Sequence, residues 1–120
     1  MNNDTTYPSP DGRYIVHITP IPMRMSHEVD CPTVYETEGQ KLIFDPGEMW
    51  EAGNVEWSAD SRYLRMEMQH YDDGIKDYDL KLDLEKRSGI LTSDGETVYE
   101  GSFEDLQNWM ECFEDPSEEY

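Results

Sequence analysis

Three stretches of the chain alternate apolar and polar residues with a period of two. In Tyr63–His70, Leu64, Met66, Met68 and His70 alternate with Tyr63, Arg65, Glu67 and Gln69. In residues 76–85, Tyr78, Leu80, Leu82 and Leu84 alternate with Asp77, Asp79, Lys81, Asp83 and Glu85. In Arg13–Ile18, Tyr14, Val16 and Ile18 share one face, and Arg13, Ile15 and His17 share the other. Successive side chains of a strand point to opposite faces, so these patterns predict antiparallel strands with one solvated side. Asp72-Asp73-Gly74 supplies turn residues for a hairpin between the first two of these stretches. Shorter strands are expected at Thr33–Glu36, Lys41–Phe44, Val55–Trp57 and Thr97–Glu100. Gly39, Pro46-Gly47, Gly53-Asn54, Gly89 and Asp94-Gly95 punctuate them. Turn signals at this density exclude a helical bundle.

The period changes once, near the end. Phe103, Leu106, Met110 and Phe113 fall on one stripe at helical spacing, with Trp109 beside it. Ser102 suits an N-cap, Asp105 follows at the third helical position, and Glu104 and Asp105 complement the positive end of the helix dipole. Pro116 closes the segment. The sequence therefore predicts a mainly β fold of antiparallel sheets, with one C-terminal helix from about Phe103 to Phe113 packed on the sheet. Tyr14, Val16, Ile18, Trp57, Leu64, Met66, Leu80 and Leu82 are the expected core.

One motif occurs twice. Ser9-Pro-Asp-Gly-Arg-Tyr-Ile and Ser58-Ala-Asp-Ser-Arg-Tyr-Leu share Ser-x-Asp-[Gly/Ser]-Arg-Tyr, and each leads into an alternating strand. The Asp side chain of such a turn closes it by accepting backbone N–H groups. With the later Leu82–Leu91 run, the second copy resembles the strand–turn–strand pattern of a β-propeller blade. The resemblance implies two blade-like hairpin units, about 9–57 and 58–100, within a single domain of 1–120. Blades need ~40–45 residues and propellers several blades, so 120 residues cannot close one. The alternative is an ordinary hairpin turn used twice.

Charge adds a second theme. Twenty-eight Asp and Glu face nine Lys and Arg, a formal net charge of −19 at pH 7, while an aromatic share of 12% argues against disorder. Such a surface repels nucleic acid and anionic lipid and attracts basic partners; simple solubility is the alternative meaning. Ten acids and no base follow Arg87, and Leu42–Ser61 is also free of bases. No apolar run approaches the ~20 residues of a membrane helix, and the N-terminus lacks the pattern of a secretory signal. Cys31 and Cys112 lie far apart and form no metal-type pair, so thiols in a cytoplasmic protein are the expectation.

Candidate chemistry is thin. His17, His27 and His70 have no metal-ligand spacing, and neither cysteine carries the signature of a nucleophile. Asp72, Asp73, Asp77 and Asp79 could meet a calcium ion if a loop gathered them, but the ordered spacing of an EF-hand is missing. No enzyme activity and no cofactor are expected. The partner-binding candidates are Glu48, Trp50 and Glu51 in the base-free loop, and Tyr71, Asp72 and Asp73 at the hairpin turn. Each group sets an aromatic among acids, as an anchor ringed by steering charges would be. The competing reading of Trp50 is that it folds inward.

In size, acidity and lack of catalytic signature the chain resembles bacterial immunity proteins, which neutralise polymorphic or contact-dependent toxins. The resemblance implies a cognate, basic, cytoplasm-acting toxin as partner, a nuclease among the candidates, held by stoichiometric binding. Such an inhibitor either presents carboxylates where the nuclease expects phosphates or plugs the active site. Two alternatives stand beside it: a blade-like interaction or regulatory module of a larger assembly, and a small hydrolase or calcium-binding domain. An unfinished sheet edge leaves pairing into a homodimer open.

Overall fold

The alternating stretches become strands in a computed structural model of the protein, which describes residues 5–22, 28–70 and 77–112. Strands β1 (Thr5–Pro8), β2 (Tyr14–Pro22), β3 (Glu28–Glu36) and β4 (Lys41–Phe44) form a first antiparallel sheet in that order. Strands β5 (Trp50–Trp57), β6 (Tyr63–His70), β7 (Tyr78–Asp83), β8 (Ser88–Ser93) and β9 (Glu96–Ser102) form a second. Helix α1 (Phe103–Glu111) follows directly and packs on β8, β9 and β4. The fold is mainly β, as the periodicity implies. Each sheet is a meander of neighbours in sequence, the strand arrangement of a blade. The sheets divide between Phe44 and Trp50, however, and the 57/58 boundary expected from the repeat falls at the β5–β6 turn inside the second sheet.

Each sheet offers one apolar face, and the two faces meet in one core. Tyr14, Val16, Ile18, Val34 and Phe44 from the first sheet join Leu64, Met66, Met68, Leu80, Leu82 and Leu91 from the second. Phe103, Leu106 and Met110 of α1 complete the cluster, and Phe44 meets Phe103 edge to face at 5.4 Å. Seven of the eight expected core residues are buried. Trp57 is the exception: half-buried at the seam, it stacks on Tyr14 at 6.3 Å and donates its indole N–H to the Tyr7 carbonyl at 2.9 Å. Its polar edge needs an acceptor, and the edge strand β1 supplies one.

The repeated motif is one turn built twice. In each copy the first Ser hydroxyl donates to the Asp (Ser9 to Asp11, 2.9 Å; Ser58 to Asp60, 2.5 Å). It also accepts the Tyr backbone N–H, from Tyr14 at 3.1 Å and from Tyr63 at 2.9 Å. The same Asp accepts the Arg backbone N–H, 3.0 Å from Arg13 and 3.1 Å from Arg62. The Gly/Ser position has a left-handed backbone in both, φ 77° at Gly12 and 63° at Ser61. Glycine takes that conformation without strain, whereas Ser61 does so at a cost. Ser61 offsets it by accepting the Asp11 N–H at 2.9 Å, which ties one turn to the other. The arginines then diverge: Arg13 pairs with Asp11 of its own turn, and Arg62 reaches Asp83 at the end of β7.

Two strands are absent from the sequence expectation, β1 and β8. Gly89 punctuates the sequence like a turn but sits inside β8, opposite Leu82. A Cβ there would lie 2.6 Å from a Leu82 methyl and 2.7 Å from a Leu106 methyl. The glycine is what lets α1 settle onto the sheet. Gly53-Asn54 likewise lies within β5, as a bulge in its pairing with β6. The helix starts as expected, with the Ser102 hydroxyl accepting the Asp105 N–H at 3.1 Å; its last turn ends at Glu111, and Phe113 is outside the described residues.

Two outcomes test this account. Gly89→Ala should destabilise the protein by about 1–3 kcal/mol through overpacking between β7 and α1, measured by urea unfolding. Acid unfolding tests the turns. The Ser58 hydroxyl and the Arg62 backbone N–H hold Asp60 below the usual carboxylate range, and the Arg13 backbone N–H does the same for Asp11. A lowered folded-state pKa gives stability that is complete above the unfolded value and is lost as pH falls through the folded one. Below about pH 4, stability should therefore drop less steeply in Asp60→Asn than in the wild type, read by tryptophan fluorescence.

Candidate functional site

The acidic loop Asp45–Met49 links the two sheets. Asp45 and Gly47 fold it: the Asp45 side chain accepts the Gly47 N–H at 2.9 Å, and the Asp45 N–H donates to Gln107 of α1 at 2.6 Å. Glu48 is exposed at its tip. Its carbonyl receives the Cys31 thiol at 3.2 Å.

Trp50 does not sit on this loop as an exposed anchor. It opens β5 with its ring fully buried, edge-on to Tyr78 at 5.3 Å and to His70 at 5.0 Å. Its indole N–H donates to the Met110 carbonyl at 2.8 Å, near the end of α1. Strand alternation sends Trp50 and Ala52 inward and leaves Glu51 toward solvent, so the inward alternative holds. Glu51 is half-buried and accepts the Asp30 N–H at 3.4 Å, joining β5 to β3. Of the first candidate group, Glu48 and Glu51 thus remain at the surface, while Trp50 belongs to the core. The register sets Trp50 opposite His70. The second group, Tyr71, Asp72 and Asp73, lies outside the described residues.

The outward faces of the two sheets differ in chemistry. On the second, polar side chains engage one another: Arg65 lies 2.9 Å from Asp79 and 3.4 Å from Glu56, Asn54 bonds Glu67, and Gln69 bonds Asp77 at 2.7 Å. On the first, a row of apolar side chains crosses all four strands. Pro8 pairs with Ile15, Ile15 with Tyr35, and Tyr35 with Leu42, so the four share one face. Ile15 and Tyr35 are half-buried, and Leu42 is 46% exposed. Thr6, Ile15, His17, Tyr35, Glu36, Thr37 and Gln40 line a shallow depression beside the row. Sequence reasoning missed this surface. Its one visible signal was Ile15, an apolar residue on the polar side of an otherwise alternating strand.

The thiols are of two kinds. Cys31 is buried; desolvation first, and then the carboxylates of Glu48, Asp45, Asp30 and Glu51, push its pKa up to about 12. It is a protonated packing residue at neutral pH. Cys112 is exposed at the end of α1. His17 lies on the outward face of β2 and His70 in the core beside Trp50, while His27 is outside the described residues. Among the described residues no group of His, Cys, Asp and Glu is arranged to hold a metal ion, and no helix is long and apolar enough to cross a membrane.

The burial of Trp50 makes a direct prediction. Trp50→Ala should cost about 3–5 kcal/mol of stability by opening a cavity and orphaning the Met110 carbonyl. Trp50→Phe should cost less, and urea unfolding of the two variants measures the difference.

No protein-family model matches the chain, and no curated protein matches it. Among solved structures, one described as a dipeptidyl aminopeptidase IV from Bacteroides ovatus ATCC 8483 is similar over 79% of this chain, at 16% sequence identity and a TM-score of 0.44. This chain spans 16% of that one, and at such a level the likeness decides neither fold nor activity.

Proposed function

We propose that this protein is an acidic binding protein, a stoichiometric inhibitor that neutralises a basic, cytoplasm-acting toxin in the manner of an immunity protein, without catalytic turnover of its own. The observation that carries the reading is how the chain uses its few cations. Each described arginine is committed within the fold: Arg13 to Asp11, Arg62 to Asp83, Arg65 to Asp79 and Glu56, and Arg87 to Glu36. Lys81 lies over the Tyr63 ring at 4.6 Å. With 28 acids in the sequence, the carboxylates left over set the field that an approaching molecule meets. A field of one sign attracts basic proteins at long range and repels nucleic acid and anionic membranes.

Charge of this kind acts on encounter more than on residence. Exposed acids steer a basic partner and raise its association rate, while a small set of well-packed contacts sets how long it stays. A second reading, a docking module of a larger assembly, is favoured by the apolar row on the first sheet.

The test is the kinetics of binding to the product of the adjacent gene, measured from low to moderate salt. Association should slow steeply as salt rises. Asp94→Asn, Glu96→Gln and Glu100→Gln together remove exposed acids on the β8–β9 hairpin and should flatten that dependence while leaving dissociation nearly unchanged. Association that ignores both salt and these substitutions would reduce the charge to a solubility coat and overturn the reading.

A further inference from the structure

We infer that β9, the outermost strand of the second sheet, takes up an extended basic segment of the partner as an added strand. The inference rests on the binding-protein reading above and names the surface that holds the bound state. An edge strand directs every second N–H and C=O away from its one neighbour, and such a row accepts a further strand. The two sheets have four edges, β1, β4, β5 and β9, and three of them are already engaged. β1 is four residues long, contains Pro8 and gives its Tyr7 carbonyl to Trp57. β4 lies against α1, whose Gln107 accepts the Asp45 N–H just after the strand. β5 lies beside β3, where Glu51 accepts the Asp30 N–H, and it bulges at Gly53-Asn54. β9 runs for seven residues without proline or lysine, and Thr97, Val98 and Tyr99 are strand formers. Its pairing with β8 shifts once, beside Val98, and Tyr99–Ser102 keeps a regular register. Between described residues, this strand makes no hydrogen bond beyond the β8 ladder and the Ser102 cap.

The charge around β9 decides the occupant. Asp94 and Glu96 stand exposed at its hairpin end, Glu100 along it, and Glu104 and Asp105 where the chain enters α1. No ion pair among the described residues engages any of the five, and no base follows Arg87 in the sequence. Cations before them in the sheet are turned elsewhere: Lys81 of β7 lies over the Tyr63 ring of β6, and Arg87 pairs with Glu36 of the first sheet. The register sets Glu100 opposite Ile90, on the outward face, and Tyr99 opposite the buried Leu91, on the inward one. Tyr99 is half-buried and stacks on Trp109 of α1 at 5.2 Å. An added strand thus meets an acid on one face and an aromatic on the other. A segment that alternates lysine or arginine with an apolar residue matches both. The same strand from a second copy would bring Glu96 and Glu100 against like charges, which disfavours pairing between copies.

The experiment titrates the full-length isotope-labelled protein with two synthetic peptides of equal length and charge. One alternates lysine with valine, and the other is the same sequence with every backbone nitrogen methylated, which removes its N–H donors. At moderate salt the unmethylated peptide should bind about tenfold tighter, the effect of one or two net hydrogen bonds. Amide shifts and slowed amide exchange should centre on residues 97–102. Glu100→Lys reverses an exposed charge beside the added strand and should weaken that binding about fivefold. Glu38→Lys, the same charge change at an exposed position of the first sheet, should alter it by less than about twofold. Equal binding of the two peptides, or shifts centred on β1 or β5, would overturn strand addition at β9 and leave the charge-steered reading standing. Binding of neither peptide at low salt would overturn both. Shifts in β9 that appear on concentrating the protein alone would assign the edge to a second copy and overturn the inference.

Discussion

Each of the two antiparallel sheets has one apolar face, and neither can bury it without the other. The seam between them is the constraint on which the rest depends. Val16, Val34 and Phe44 reach it from one side, Leu64, Met66 and Leu80 from the other, and none of them retains solvent contact. Burial on this scale is the main source of stability available to a chain so rich in charge. The seam also dictates what happens at its margins. Where it opens at one end, Trp57 stacks across it onto Tyr14. Beside β4, β8 and β9, α1 closes it through Phe103, Leu106 and Met110.

The duplicated turns belong to the same logic. Each turn is closed internally by its own Ser and Asp, so each hairpin starts from a defined register. The hydrogen bond from Asp11 to Ser61 then joins the two turns and sets one sheet's start against the other's. Arg62 extends the arrangement by bridging to Asp83, whose carboxyl burial tends to raise but which the guanidinium and the N–H groups of Lys86 and Glu85 hold below its usual range. Local turn chemistry is thus coupled to tertiary packing at one corner of the molecule.

Polar commitments inside the fold shape what the surface can offer. The described arginines are engaged in ion pairs at or near the surface, and the outward face of the second sheet is taken up by its own cross-strand pairs. The outward face of the first sheet carries apolar side chains instead. A net negative charge acts at long range and an apolar row only on contact, so the two properties differ in range.

The sequence by itself determined the features that depend on local period and turn chemistry. The alternation from Leu64 to His70 and from Tyr78 to Leu84, the paired Ser-x-Asp turns and the Ser102 cap are legible because each is specified by neighbours a few residues away. Tertiary structure alone decided the rest. Trp50 sits between acids that suggest exposure, yet two positions of inward alternation before the Gly53-Asn54 bulge are too few to show that α1 and β7 wait to receive it. Gly89 carries a turn residue's signal, and only the approach of Leu106 explains why a strand needs it. Strand β1 has an exposed sequence with no buried side to read, so its place is set by pairing with β2 and by the Trp57 indole on the Tyr7 carbonyl. The row from Pro8 to Leu42 is built from four separate strands, and adjacency between strands is settled by sheet register, which no local pattern encodes.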